Sequence, residues 1–210
     1  MPRPRSNIRP RILRAARKSF VQHGVGGASL REIARRARTS IGMIYYYFKT
    51  KDDLFLAVVE EHYESAMAGL EAALEGPGSF EERLVRMSTR IGELTELELD
   101  TLKLVLREAM VSSARVPRLV ERFKRGNLGL VSAAVGEGLA TGVLAPGPHP
   151  ALLVMATLAV TGMPQILRRF MGENFPFADA PAGEAMARQL VGVLMHGAAA
   201  SSGSLKEVEA

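Results

Sequence analysis

The chain has 210 residues, of which 47% are hydrophobic and 23% are charged. These proportions are ordinary for a globular protein and exclude wholesale disorder and fibrous repeats. The chain contains no cysteine. This excludes a disulfide framework and a thiolate metal site and suits a reducing compartment, so we expect a cytoplasmic protein.

The net charge of +5 conceals a division between the two parts of the chain. Residues 1–51 hold 13 of the 27 Lys and Arg and a single acidic residue, Glu32, so their net charge is +12. Residues 52–210 carry a net charge of −7. Such a division indicates a polyanion-binding module attached to an acidic body, with nucleic acid and an anionic membrane as the candidate partners.

Helical periodicity dominates the chain and predicts an all-α fold of about nine helices, because no alternating strand pattern bounded by turn signals occurs. The first helix is predicted at about 7–23 and ends at the G-V-G-G run that follows it. Ser29 and Glu32 form the S-x-x-E capping-box pattern that opens a short second helix. Ser40 can cap a third short helix at about 41–47.

Longer helices are predicted for the rest of the chain, at about 52–75, 79–94, 101–113, 117–140, 150–172 and 182–199. Ser79 and Glu82 repeat the capping-box pattern. The acidic residues between 93 and 100 are interpreted as a solvated helix end rather than as paired carboxylates or a cation site. The apolar run 151–167 is barely long enough to span a bilayer and contains a proline, so it is interpreted as a buried helix.

The string SLREIARRARTSIGMIYYYFKTKDDL, which begins at Ser29, resembles the DNA-binding signature of the tetracycline-repressor (TetR) family of bacterial transcriptional regulators. The likeness lies in the S-x-x-E-I-A opening, the S-x-G centre, the Y-x-Y-F close and the lysine before a paired acid and leucine. It covers about Ile8 to Val59. The resemblance implies a homodimer in which each N-terminal domain places a recognition helix in the major groove of double-stranded DNA.

The same resemblance implies a division into a DNA-binding domain at 1–51 and a ligand-sensing and dimerisation domain at 52–200. The tail at 201–210 is expected to fray. The expected function is that of a repressor released from a palindromic operator by a small, largely apolar ligand. The alternative is a regulator that binds DNA constitutively or under the control of a protein partner.

The recognition helix is expected to turn Ile44 and Phe48, which lie four residues apart, toward the first two helices. Gly42 lacks a side chain and allows close approach to the bases. The candidate DNA contacts are Ser29, Arg31, Ser40, Ile41, Gly42, Met43, Tyr45, Tyr46, Tyr47, Thr50 and Lys51.

These candidates divide into residues that read bases and residues that contact phosphates. Ile41 and Met43 are apolar and can read only thymine methyl groups, so Arg31 is the candidate for guanine. The candidate phosphate contacts are Ser29, Tyr46, Tyr47, Thr50 and Lys51. For Tyr47, packing as a core aromatic is an equal alternative.

Two features of the basic segment leave alternatives open. Arg38 stands where the family usually has glycine, at a helix end that favours the left-handed conformation. Either Arg38 bears that strain and contacts a phosphate, or the turn differs here. The arm residues Arg3, Arg5, Arg9 and Arg11 can follow the DNA backbone, enter the minor groove or remain disordered.

The resemblance assigns dimerisation to the last two long helices, at about 150–172 and 182–199. The first of them is apolar on more than one face and must therefore be buried on more than one side. The middle helices are expected to enclose the ligand pocket. Its candidate residues are His62, Met87, Arg90, Arg107, Glu108, Met110 and Phe123.

Enzymatic and metal-binding functions find no support in the sequence. None of the four histidines has an acidic residue, histidine or cysteine three or four positions away, so no helical metal-ligand pair exists. Neither a phosphate-binding loop nor a nucleophile elbow occurs, and no cofactor is expected. A membrane-surface protein with an amphipathic anchor at about 3–18 is the rival from another class, although the tyrosine cluster argues against it.

Overall fold

The computed structural model describes the backbone of residues 7–111, 115–124 and 126–197. Within these ranges every regular element is a helix, which confirms the predicted all-α fold class. The predicted tail at 201–210 and the arm residues Arg3 and Arg5 lie outside the described residues.

The helices follow one another through the described ranges with short connections. They are α1 (Ile8–Gly27), α2 (Leu30–Arg36), α3 (Ile41–Tyr47), α4 (Lys51–Glu75), α5 (Phe80–Gly92), α6 (Glu96–Val111), α7 (Val116–Lys124), α8 (Asn127–Ala140), α9 (Pro150–Thr157), α10 (Met163–Met171) and α11 (Gly183–His196). A π-helical segment, Leu158–Gly162, joins α9 to α10.

Side-chain caps set the starts of several helices where the sequence places them. The hydroxyls of Ser29 and Ser40 accept hydrogen bonds from backbone N–H groups three residues ahead, at 3.4 and 3.2 Å. Ser79 and Glu82 form the complete reciprocal capping box at the start of α5. These caps satisfy N–H groups that have no partner within the helix.

Two predictions about the middle of the chain are wrong. The predicted helix at 117–140 is two helices, α7 and α8. The helix α6 begins at Glu96, five residues before the predicted start, and Glu98 is buried rather than solvated, although Glu93 and Glu96 are exposed as predicted. Glu98 exchanges two hydrogen bonds with Thr95 and accepts a third from Ser65, so its carboxylate caps α6 from inside the protein.

The chain groups into two compact units that do not follow the order of the sequence. Unit 1 comprises Met1–Gly69 and Leu94–Asn127, and unit 2 comprises Leu70–Glu93 and Leu128–Ala210. The helices α6 and α7 therefore belong with the N-terminal helices. The expected functional boundary after residue 51 stays a prediction.

The core of unit 1 holds the first three helices against α4, α6 and α7. Phe20 and Phe55 are fully buried and meet edge to face, with 6.3 Å between ring centroids. Leu104 from α6 and Leu119 from α7 complete the same cluster. Burial of such aromatic and aliphatic side chains stabilises the folded state by roughly 1.5–3 kcal/mol per side chain. The core against which α2 and α3 pack is therefore stable.

The core of unit 2 is built where α5 packs against α10 and α11. Met87 on α5 and Val191 on α11 are buried there. A Cβ at Gly92 would stand 2.6 Å from Oε1 of Gln165, so glycine lets the Gln165 side chain lie against α5 without shifting. The hydroxyl of Ser88 donates to the carbonyl of Thr161 in the π-helical segment, at 2.6 Å. This satisfies a carbonyl that the irregular helix turn leaves available.

The apolar helix beginning at Pro150 is not buried on all sides within one chain. The segment Pro150–Asn174 is long and apolar enough to cross a membrane, with a mean hydropathy of 1.6, but only 22% of its most apolar window is buried. One face, with residues spaced three or four apart, is exposed. We call it the aliphatic stripe: Leu152, Met155, Ala159, Met163, Leu167 and Met171. This face is exposed in the single chain, and its predicted burial in a dimer stays a prediction.

Candidate nucleic-acid interface

The short helix α3 turns one face inward and the other toward solvent. Ile44 is 1% exposed and Phe48 is also buried, as their four-residue spacing predicts. On the opposite face Ile41, Tyr45 and Tyr46 are exposed, Tyr46 to 71%. We call these three residues, with the N-cap Ser40, the outer face of α3. Exposed tyrosines on a rigid helix supply both flat rings and hydroxyl groups to a partner.

The N-terminal ends of α2 and α3 open onto solvent beside this face. Ser29 and Arg31 at the start of α2 are exposed, as is Ser40 at the start of α3. A Cβ at Gly42 would meet only the Ser40 hydroxyl, at 3.7 Å, so the backbone of α3 is approachable here. Met43 is half-buried. Five of the predicted contacts thus lie along two neighbouring helix starts.

Tyr47 packs differently from its two neighbours. It is half-buried, and its ring meets Tyr46 edge to face at 5.2 Å and lies tilted against Phe48 at 6.3 Å. The ring also packs against the core of unit 1. This arrangement resembles the core-aromatic alternative, and a phosphate contact would have to come from its hydroxyl at the rim.

Thr50 and Lys51 are engaged within the fold. Thr50 and Asp53 exchange two hydrogen bonds that cap α4, at 3.0 and 3.1 Å. The ammonium group of Lys51 donates to the carbonyls of Gly26 and Ala28, both at 2.9 Å. Lys51 therefore ties the loop between α1 and α2 to the start of α4, and only its remaining N–H is available to a phosphate.

The charges on α2 are unevenly paired. The carboxylate of Glu32 accepts hydrogen bonds from Arg35 and Arg36, so it does not complete the capping box with Ser29 that the sequence predicts. The hydrogen bonds from Arg35 and then Arg36 lower the pKa of Glu32 to about 2. Among the described residues Arg31 has no such acidic partner, so its guanidinium is available for a base or a phosphate.

The turn between α2 and α3 contains the departure from the family pattern. Arg38 has a φ of 50°, so it adopts the left-handed conformation at a cost of roughly 1–2 kcal/mol. Arg11 on α1 donates through Nη2 to the carbonyls of Ala37 and Arg38. The guanidinium of Arg9 lies over the ring of Phe48, 5.7 Å from its centroid. Both arm residues are thus engaged with the helix-turn-helix.

A contact from α6 reaches the end of α1. Gly24 breaks α1 with a φ of 69°, which frees the N–H of Val25. Oε1 of the buried Glu108 accepts a hydrogen bond from that N–H at 2.9 Å. Arg115 bridges the other carboxylate oxygen of Glu108 to Asp52 at the start of α4, with both distances 2.8 Å. This Glu108 network links α6 to both helices that flank α2 and α3.

The predicted pocket residues are scattered over the two units. Unit 1 holds His62, Arg107, Glu108 and Met110, unit 2 holds Met87 and Arg90, and the side chain of Phe123 lies outside the described residues. Arg107 and Glu108 contact the end of α1 at Gly24, and Met110 is 85% exposed. The site of Arg107 and Glu108 at the end of α1 does not resemble the wall of an enclosed pocket, and the exposed site of Met110 does not either.

The described residues form a cleft within each unit. One, in unit 2, has a volume of about 360 Å³ and is lined mainly by charged side chains, Arg90 among them. The other, in unit 1 between α4 and α7, has a volume of about 540 Å³. Its walls include the apolar Leu56, Val59, Pro117 and Leu119. No group of three or more potential metal-binding side chains occurs in the part of the chain that the structure describes.

Comparison with known proteins gives a consistent result. Residues 12–58 match a family described as bacterial regulatory proteins, tetR family. The chain is 30% identical over 168 residues to the HTH-type transcriptional repressor SCO4008 of Streptomyces coelicolor, covering 77% of this chain and 82% of that protein. It is 26% identical over 150 residues to the HTH-type transcriptional regulator YhgD of Bacillus subtilis, covering 71% and 78%.

Among solved structures, the fold matches the transcriptional regulator FadR from Bacillus subtilis in complex with stearoyl-CoA. The TM-score is 0.71 at 18% identity, over 90% of this chain and 98% of that one. At this level of identity the likeness concerns the fold.

Proposed function

Because the chain belongs to the TetR family of bacterial regulatory proteins and is a DNA-binding transcriptional regulator, we propose that it is a cytoplasmic, dimeric repressor of a palindromic operator. A small, largely apolar ligand releases it from that operator. The observation that carries this proposal is the outer face of α3, which presents two exposed tyrosines beside the free Arg31 on a strongly basic segment.

The outer face of α3 enters the major groove in this proposal. Arg31 reads guanine, while Ile41 and Met43 contact thymine methyl groups, because their side chains offer no hydrogen bonds. Tyr46 and the two N-cap serines hold the phosphates and set the register. Lys51 acts mainly by fixing the loop that carries α2, and secondarily as a phosphate contact.

The aliphatic stripe supplies the dimer contact. A single chain leaves Leu152, Met155, Met163 and Leu167 exposed on one face, and water contact with a continuous aliphatic face is unfavourable. A second copy related by two-fold symmetry covers the face with an identical one. Two recognition helices then address half-sites about 34–36 Å apart, or a multiple of that distance, which makes the operator palindromic.

The Glu108 network carries the ligand's effect to the DNA-binding helices. Glu108 joins α6 to the broken end of α1, and Arg115 joins it to the start of α4. A ligand that binds better to a conformation in which α6 has moved also favours the altered positions of α1 and α4. Operator affinity can fall by at most the ratio of the ligand's affinities for the two conformations.

The cleft between α4 and α7 is the ligand site we propose to test first. Its volume lies in the range of small-molecule sites, and its walls combine four apolar residues with the charged Glu60, Arg118 and Glu121. Replacing Leu56 by Trp fills the cleft. Leu56→Trp should abolish release by the ligand and leave operator binding unchanged; a variant that still responds would place the ligand elsewhere.

The deciding experiment selects bound duplexes from a random pool and then screens compounds for release of the recovered site. Long-chain acyl-CoA thioesters come first, because the Bacillus subtilis FadR structure contains stearoyl-CoA. Recovery of an inverted repeat and release by an apolar compound are expected. Operator binding that no compound alters would favour the constitutive or partner-controlled alternative. Competition by anionic vesicles as strong as by the operator would favour the membrane-surface rival.

A further inference from the structure

Arg38 is an unusual residue in the turn between α2 and α3. Among the described residues it is the only one other than glycine with a positive φ, whereas six glycines have one. The left-handed conformation crowds the Cβ of an L-residue, and glycine avoids this cost. An arginine at such a position destabilises the folded domain unless its side chain makes a compensating interaction.

The surrounding backbone holds Arg38 in this conformation. Its N–H donates to the carbonyl of Arg35, and the N–H of Thr39 donates to the carbonyl of Ala34, both at 3.0 Å. Its own carbonyl accepts a hydrogen bond from Nη2 of Arg11 at 2.7 Å. Charge-assisted bonds of this kind are stronger than neutral ones, so the bond from Arg11 helps to hold the strained backbone.

The side chain of Arg38 makes no compensating interaction with the residues that the structure describes. It is exposed, and none of the described residues pairs with its guanidinium. Arg35 and Arg36, on the same helix end, are both paired with Glu32 at 2.7 Å. Arg38 is thus a free cation two residues before Ser40, the N-cap of the recognition helix.

We propose that Arg38 contacts a DNA phosphate beside the recognition helix, and that Arg11 is a positioning residue that aims it from α1. The proposal rests on the proposed DNA-binding mode and adds to it a phosphate contact that forms at the expense of fold stability. A free guanidinium next to a helix that lies in the major groove is within reach of the backbone that borders the groove. Arg11 then acts through the turn and does not itself enter the minor groove.

The test compares thermal stability and operator binding of Arg38→Gly with those of the wild-type chain. Relief of the strain should raise the Tm by roughly 2–4 °C. Loss of one phosphate contact in each subunit should weaken binding about fivefold per subunit at physiological salt, equally for operator and unrelated duplex, and reduce the slope of log K against log salt by about 0.9 per subunit. A higher Tm joined to a lower affinity is the result we expect.

Two further variants at the same position separate charge from backbone freedom. Arg38→Asn tolerates the left-handed conformation without a charge and should lose as much affinity as the glycine variant. Arg38→Lys should keep the salt slope. As a control for net charge, Arg188→Ala on α11 should leave the slope unchanged. A glycine or asparagine variant that binds DNA as tightly as wild type would overturn the proposal, and so would a fall in the Tm of Arg38→Gly.

The role of Arg11 is tested by combining substitutions. Arg11→Gln should reduce affinity and salt slope in the wild-type background and have almost no further effect on the slope in Arg38→Gly, because it acts through Arg38. Arg11→Lys should restore part of the affinity. An equal loss of slope in both backgrounds would show that Arg11 contacts DNA itself. Failure of the wild-type chain to bind any duplex would refute the proposed function as a whole. If the wild-type chain binds DNA and the Arg38 variants bind it equally tightly, only this inference is refuted.

Discussion

Two surfaces of this molecule expose large apolar side chains, and they differ in what surrounds them. The outer face of α3 presents tyrosine rings and hydroxyls within a segment of net charge +12. The aliphatic stripe contains no charged residue between Leu152 and Leu167. A hydrated polyanion suits the first surface, and a second apolar face suits the other. Exposure by itself does not identify the partner, whereas the charge around the exposed residues does.

The largest effect on assembly and operator binding is expected from substitutions in the aliphatic stripe. Replacing both Leu152 and Met155 by Glu places carboxylates in an apolar interface, which costs several kcal/mol. The chain should become monomeric in sedimentation velocity and lose operator affinity by roughly 100-fold or more, because the two half-sites are no longer bound together. Val143→Glu, at an equally exposed apolar residue outside the stripe, should remain dimeric. A double variant that still sediments as a dimer would show that the aliphatic stripe is not the dimer contact.

The next effect concerns the outer face of α3. Tyr46→Ala should weaken operator binding by about 1–3 kcal/mol in an anisotropy titration, because ring and hydroxyl contacts are both lost. Its Tm should change little, since the side chain is exposed. Tyr46→Phe isolates the hydroxyl group and should show an intermediate loss. Wild-type affinity in the alanine variant would mean that this face does not read DNA.

Two basic residues, Arg31 and Lys51, can be used to distinguish a base contact from a phosphate contact. Arg31→Ala should cost about 1–3 kcal/mol on the selected operator and much less on unrelated duplexes. Lys51→Ala should weaken all sequences alike and lower the salt slope by about one unit per subunit. It should also lower the Tm, since the hydrogen bonds of Lys51 to two carbonyls are lost. Equal losses on every sequence from Arg31→Ala would reassign that residue to a phosphate.

A smaller effect is expected where α6 meets α1. Glu108→Gln weakens the charge-assisted bond to Arg115 and should reduce stability by about 1–2 kcal/mol. It should also lower operator affinity and blunt release by the ligand. Glu98→Gln is the matched control, because Glu98 is another buried carboxylate on α6 whose hydrogen bonds go to Ser65 and Thr95 instead of α1. The coupling role of Glu108 fails if both variants lose stability and neither changes DNA binding.

The smallest effect is a pH dependence of the basic segment. Arg35 and Arg36 lower the pKa of Glu32 in the folded protein from 4.5 to about 2. The stability from this interaction is therefore fully present above about pH 4.5 and is lost as the pH falls toward 2. Between these values the Tm of the wild type should fall more steeply than that of Glu32→Gln in thermal melts. Parallel curves would show that the ion pairs do not form in solution.

Helix type and most helix starts could be predicted from the sequence, because they depend on neighbouring residues. The caps at Ser29, Ser40 and Ser79 and the inward positions of Ile44 and Phe48 follow from spacings of three and four residues. Such patterns report on a single helical turn. They determined the all-α fold and the orientation of α3.

The contacts between side chains that are distant in sequence could not be predicted and became visible in the folded chain. Lys51 reaches carbonyls 23 and 25 residues away, and Glu108 reaches the N–H of Val25 across 83 residues. Glu98 is buried because Ser65 on α4 lies beside it. Each of these contacts depends on how helices pack, which no local spacing encodes. Local patterns in the amino-acid order therefore predicted the short helices that are proposed to bind DNA. The packing of α4, α6 and α7 around them set which of the described charged residues are engaged within the fold.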